Sequence, residues 1–182
     1  EGVRKAIEMQ ADLILAVGGG SVIDSAKGIG MGVATGRDPW EFAATNTAPD
    51  RTLPIGTVLT LAASGSETSN SCVLTNEETK EKRGITSQTN RPRISFLNPE
   101  NTFSVSRFQT GCGIVDIMMH TLERYLTPQG GESDITDRLA EGLLIATRDA
   151  GRRALADPQD YEARASLMWA GSVSHNDYTG CG

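Results

Sequence analysis

Residues 12–30, DLILAVGGGSVIDSAKGIG, decide the fold. Leu13–Val17 is a short continuous apolar run, and between helical patterns such a run marks a buried parallel strand. Gly18, Gly19 and Gly20 break it. Ser21 is placed to cap a helix, and Asp24, three positions on, completes a capping-box pattern. Val22, Ala26, Ile29 and Val33 then recur at helical spacing as one apolar face. Gly36-Arg37-Asp38-Pro39 ends that helix. Upstream, residues 2–11 (GVRKAIEMQA) read as the tail of another helix. Helix, strand, glycine turn and helix make half of a doubly wound sheet.

Further out, residues 54–62 (PIGTVLTLA) form a second β-rich run, followed by the polar stretch ASGSETSN. Cys72–Thr75 reads as a short strand, NEETKEKRG as a charged turn, and Arg93–Leu97 as a further strand before Asn98-Pro99. Beyond residue 105 the pattern turns helical, with helices expected over 111–126, 133–150 and 158–176. Asp157 before Pro158 is a good N-cap and first-turn pair. The expected organisation is an α/β dinucleotide-binding, Rossmann-like part over 1–105 and an all-helical part over 106–182. The chain opens inside a helix that feeds a strand and closes on YTGCG with no further helix. Both ends suggest an internal piece of a longer protein.

Composition narrows the function. The 182 residues are 38% hydrophobic, enough for a sizeable core. Lys and Arg total 17 against 23 Asp and Glu, a net charge of −6 that disfavours broad nucleic-acid binding. No apolar run approaches the roughly eighteen residues of a membrane span. Three widely spaced cysteines, Cys72, Cys112 and Cys181, with no C-x-x-C, argue against a disulfide scaffold and suit a reducing cytoplasm.

Three features carry chemistry. A glycine turn between strand and helix lets phosphate approach backbone N–H groups at a helix N-terminus, with the helix dipole behind them. Gly18-Gly19-Gly20-Ser21 has that context, although Ile23 holds the third glycine's place in G-x-G-x-x-G; a plain tight turn is the alternative. The loop from Ser64 to Ser69 offers hydroxyls and amides where ligands bind in open α/β sheets. It would serve equally as a helix cap at Ser64 or Ser66, with Glu67 in the first turn. Asp116 and His120 are four apart in GIVDIMMHTLERY, on one helix face, where they could share a divalent cation or simply hydrogen-bond each other. His175, the second of two histidines, reads as a surface or helix-end residue rather than a third ligand. Lys82 and Arg83 read as solvated charge.

Together LILAVGGGSVIDSAKGI, PIGTVLTLAASGSETSN, KRGI, SFLNPE, GIVDIMMHTLERYLT and MWAGSVSHND resemble the iron-dependent, group III alcohol dehydrogenases, in the butanol dehydrogenase and broad-specificity aldehyde reductase branch. The resemblance runs over essentially the whole chain. It implies the dehydroquinate synthase-like architecture, incomplete here at both ends: a nucleotide-binding domain, then a helical metal-binding domain. The cofactor, NAD or NADP, would lie against Gly19, Gly20, Ser21 and Asp24, with Thr60, Ser64, Ser66 and Ser69 in the polar loop and Lys82 near the nicotinamide ribose. The family's metal, iron first and zinc second, is held by one Asp and three His. Asp116 and His120 match two of these, and no residue matches the others. Asn98 stands where the family usually has Asp, and Ser64 where Thr is usual.

The implied activity is metal-dependent hydride transfer between a nicotinamide and a primary alcohol or aldehyde, in a cytoplasmic homodimer, with no nucleic-acid or membrane partner. No residue is singled out as a proton shuttle, and the 182 residues alone are expected to be inactive. The alternatives are a zinc-dependent polyol dehydrogenase or dehydroquinate synthase-like enzyme, and a non-catalytic nucleotide-binding fragment.

Overall fold

The structure is a computed structural model that describes residues 1–127 and 134–179. The chain divides into two compact units. Glu1–Val58 and Ser66–Phe96 form the first, and Leu59–Gly65 joins the chain from Leu97 onward in the second.

In the first unit, helix α1 (Gly2–Glu8) leads into strand β1 (Ile14–Gly18), and helix α2 (Gly20–Thr35) follows without a gap beyond Gly19. Helix α3 (Pro39–Thr45) precedes strand β2 (Ile55–Leu59), strands β3 (Ser71–Thr75) and β4 (Lys82–Thr86), and strand β5 (Ile94–Phe96). The main sheet has the order β1-β2-β5. β2 and β5 run parallel, Gly56 opposite Ile94 and Val58 opposite Phe96. β3 and β4 pair with each other instead, as an antiparallel hairpin from Ser71 opposite Thr86 to Thr75 opposite Lys82. The charged stretch expected as a turn therefore ends in a strand. Met31, Phe42, Ala43, Cys72 and Ile85 pack as this unit's core, with Trp40 and Leu74 against them.

Several local expectations are corrected here. The N-cap of α2 is Gly19, with no side-chain cap, so Ser21 and Asp24 form no capping box. Asp24 instead accepts from the buried Ser66 hydroxyl and from the amide of Val73, elsewhere in the unit. The buried face of α2 is Ile23, Ala26, Lys27 and Met31, while Val22 is 46% exposed. β1 buries Ala16 and leaves Leu15 and Val17 exposed, so only one face of this strand is covered here. No helix follows Ser64 or Ser66, so neither caps one.

The second unit is helical: α4 (Arg107–Leu126), α5 (Asp134–Ala156) and α6 (Tyr161–Ser174). The second of these was expected from 133, and Ser133 lies outside the described residues, as does Cys181. Ser106 caps α4 by accepting from the amide of Gln109. Asp160, rather than Asp157, caps α6: it accepts from Ala163 N at 2.9 Å and is gripped by Arg153 through two 2.9 Å bonds. Asp157 instead accepts from Gln159 N in the turn before it. Ile114, Ala150, Ala154, Ala163 and Leu167 form the core, with Ala62, Met118 and Leu155 packed on it. Burial of each large aliphatic side chain contributes about 1.5–3 kcal/mol. Among the described residues no helix is long and apolar enough to cross a membrane.

Candidate functional site

In the first unit the site begins at the glycine turn. Gly19 is extended (φ −89°, ψ −170°), and its carbonyl accepts from both Val22 N and Ile23 N at 3.1 Å. The amides of Gly20 and Ser21 thus stand at the open end of α2, ahead of its first hydrogen bonds. No acidic residue occupies the first turn, so nothing there offsets the positive end of the dipole. Ser21 is exposed, with its carbonyl accepting from Ser25 Oγ. That combination suits an anion approaching from solvent.

One turn into α2, Asp24 and Lys27 face the segment 66–73. Ser66 Oγ donates to Asp24 Oδ1 at 2.6 Å, and Val73 N donates to Asp24 Oδ2 at 3.1 Å. Lys27 is fully buried and donates to Ser66 O (2.7 Å), Ser66 Oγ (2.9 Å), Ser69 O (3.0 Å) and Ser71 O (2.7 Å). Its Nζ lies 3.9 Å from Asp24 Oδ1. Burial pulls the Lys27 ammonium down to about 8, against the opposing pull of the Asp24 carboxylate. Burial likewise raises the Asp24 carboxyl, opposed by the Ser66 hydrogen bond and the Lys27 charge. The Cys72 thiol, donating to Asp24 O at 3.3 Å, is pushed up to about 12 by the same burial.

The residues expected at the cofactor therefore fall into distinct settings. Gly19, Gly20 and Ser21 form the open turn. Asp24, Ser66 and Ser69 lie in the network beneath it, both serines buried; Ser69 Oγ accepts from Ser71 N at 2.9 Å. Ser95 Oγ fastens the same segment through Glu67 O at 2.5 Å, and Arg91 donates to Thr68 O. Lys82 opens β4 as an exposed residue whose charge reaches Asp24. Thr60 and Ser64 are half-buried on Leu59–Gly65, which groups with the helical unit. Sequence reasoning missed Lys27 as a site residue. The signal available was a lysine on the apolar face of α2, three residues after Asp24.

In the helical unit, Asp116 and His120 lie one turn apart on α4. No hydrogen bond joins them among the described residues, so the simple Asp–His pairing is not what occupies these side chains. His120 Nδ1 is buried without a hydrogen-bond partner among those residues, a cost of about 1–3 kcal/mol for an unmet polar group. Asp116 lines an open apolar groove with Phe108, Cys112, Val115, Met119 and Leu155. His175 follows α6 and stacks against His120, ring centroids 4.8 Å apart at 39°. Arg124 holds it: Nη2 lies 3.2 Å from His175 Nδ1, and Nη1 donates to Ser174 O (2.6 Å) and His120 O (3.2 Å). A guanidinium at that nitrogen disfavours a cation there. Among the described residues no group of three or more His, Cys, Asp or Glu could hold a metal. Asp116 and His120 fit a divalent cation as an incomplete donor set, one hard oxygen and one borderline nitrogen.

The chain therefore holds two features with chemical potential, a glycine turn on a strand-to-helix junction in the first unit and an Asp-x-x-x-His pair on α4 in the second. The family model "Iron-containing alcohol dehydrogenase" matches residues 1–99, and the chain belongs to that family. The NADH-dependent butanol dehydrogenase A of Clostridium acetobutylicum is 42% identical over 96% of this chain and 46% of its own length. The NADPH-dependent aldehyde reductase YqhD of Escherichia coli is 35% identical over 99% of the chain and 47% of its own length. The crystal structure of the NADH-dependent butanol dehydrogenase A of Thermotoga maritima superposes with a TM-score of 0.93 at 36% identity, covering 98% of this chain and 44% of that one. The chain spans about half the length of the relatives it matches.

Proposed function

We propose that this chain serves a metal-dependent oxidoreductase that moves a hydride between NAD or NADP and a primary alcohol or aldehyde. The carrying observation is the open N-terminus of α2 behind Gly18-Gly19-Gly20, in a chain whose relatives are NADH- and NADPH-dependent enzymes by name. When bound, the nicotinamide supplies the hydride and a divalent metal the Lewis acidity toward the substrate oxygen.

The chain's own residues have simpler tasks. The amides of Gly20 and Ser21 receive the cofactor's pyrophosphate, and the exposed Ser21 hydroxyl adds a donor beside them. Asp24, Ser66 and Ser69 shape the floor of that site. Thr60, Ser64 and Lys82 complete the cofactor set by family resemblance. Asp116 and His120 supply two metal donors, with iron the first choice and zinc the second. The family resemblance also supports a nucleotide-binding part over 1–105, a helical part over 106–182, and a homodimer. The thiols of Cys72 and Cys112 are free, which suits the reducing cytoplasm.

The test is made on the complete reading frame that contains this chain. Initial rates with NADH and NADPH against butanal and related aldehydes, with and without added Fe(II) or Zn(II), are expected to show metal-dependent turnover. Metal content before and after His120→Ala is read alongside, and tight binding is expected to be lost. Absence of turnover with every aldehyde and alcohol, or metal content indifferent to His120→Ala, refutes the reading.

A further inference from the structure

The fully buried Lys27 has a task that the chemistry of hydride transfer does not assign. It sits on the inner face of α2 beside Ile23, Ala26 and Met31, where an uncharged side chain of similar length would pack without loss of hydration. Burying an ammonium is costly unless it is hydrogen-bonded and paired, and apolar replacement of a buried ion pair is often neutral or stabilising. A lysine in such a place is better explained by what it holds than by the stability it adds.

What it holds is a single short segment. Three of its four acceptors are the backbone carbonyls of Ser66, Ser69 and Ser71, and the fourth is Ser66 Oγ. That hydroxyl passes its own proton to Asp24 Oδ1, while Asp24 Oδ2 takes the amide of Val73. Two side chains on one turn of α2 therefore hold residues 66–73 at five backbone or hydroxyl points. Carbonyls converging on one cation lose their shared partner together if it is removed. The same helix presents the glycine turn at its N-terminus, two turns above Lys27.

We propose that Lys27 is a positioning residue for the dinucleotide site, latching the 66–71 segment to the helix that presents the phosphate-binding turn. The proposal rests on the dinucleotide reading above. Lys27 does not touch the cofactor. It fixes the height and orientation of the segment carrying Ser66 and Ser69 relative to Gly20 and Ser21. Arg91 and Ser95 hold Thr68 and Glu67 by hydrogen bonds of their own, and Lys27, with Asp24 beside it, supplies the fastening toward α2.

The experiment, made like the one above on the complete reading frame that contains this chain, compares wild type with Lys27→Met, which keeps length and removes donors, and Lys27→Gln, which keeps two N–H donors. NADH and NADPH are titrated by fluorescence, amide hydrogen exchange is followed at residues 66–73, and cooperative unfolding is recorded. The expected result is a Kd raised at least tenfold in Lys27→Met, with a smaller rise in Lys27→Gln. Exchange is expected to be accelerated at least tenfold within 66–73 and little elsewhere, and unfolding to stay cooperative. A purely structural lysine would instead lower the unfolding midpoint and leave the Kd of the folded protein alone. A folded Lys27→Met with its Kd within twofold of wild type overturns the proposal; should that variant not fold, the same outcome in Lys27→Gln overturns it. If the wild type binds neither cofactor, the dinucleotide reading fails by itself. The exchange data then decide the latch, and unchanged protection at 66–73 overturns it.

Discussion

Two glycines in α4 offer a controlled test of how this helix is seated. Gly111 and Gly113 lie two residues apart in the same helix. A Cβ added to Gly111 meets nothing within 4 Å. There Gly111→Ala should stabilise by about 0.5–1 kcal/mol, because alanine loses less backbone entropy on entering a helix. A Cβ added to Gly113 would sit on the carbonyl oxygen of Ala62, closer than real Cβ atoms come, and Ala63 Cβ is 3.6 Å away. A backbone carbonyl cannot rotate aside as a flexible side chain would. Relief requires moving α4 or Leu59–Gly65, at the 1–3 kcal/mol typical of overpacking. Overpacking opposes the same propensity gain, so Gly113→Ala should be a net loss of about 0.5–2 kcal/mol. The two variants should therefore differ by about 1–3 kcal/mol in urea unfolding at equal m-value. Gly113 lies three residues before Asp116, so the displacement also reaches the metal donors. If Gly113→Ala proves as stable as Gly111→Ala, the close approach of α4 to Ala62 is wrong.

Two further outcomes are expected. Gly20→Val places a branched side chain where a phosphate would approach the amides of Gly20 and Ser21, and should weaken NADH or NADPH binding several-fold in a folded protein; an unchanged Kd by calorimetry would leave only a tight turn. The second concerns pH. Lys27 is depressed from 10.5 to about 8 by burial, so between those values the unfolded chain keeps a proton the native state has released, and stability rises with pH. Cys72, raised from 9.0 to about 12, acts in the opposite sense above 9. Wild type should therefore gain about 1 kcal/mol from pH 8 to 9 and flatten above it. In Lys27→Met that rise should vanish; a urea midpoint that falls between pH 8 and 9 in wild type, or rises equally in the variant, contradicts the assignment.

Local features were legible in the chain alone. The strand before Gly18, the helix after Gly20 and its stop at Gly36 all follow from apolar period and glycine placement. The three later helices follow likewise, because such signals act between residues a few positions apart. Asp116 and His120 could be set on one helix face by counting. The errors share a cause. Ser21 and Asp24 match a capping box in sequence, but Asp24 had stronger partners 42 and 49 residues away in Ser66 and Val73. Asp157 before Pro158 reads as a cap, yet Asp160 takes that place, gripped by Arg153. The pairing of β3 with β4 as a hairpin of its own required strand neighbours that no local pattern specifies. Lys27 is the clearest case: the apolar face read from sequence, Val22, Ala26, Ile29 and Val33, leaves it out, whereas the folded helix buries it beside Ile23 and Met31. Only the folded chain brings Ser66, Ser69 and Ser71 around its ammonium, because a buried cation collects whatever carbonyls the tertiary fold delivers to it, and sequence distance places no limit on which those are.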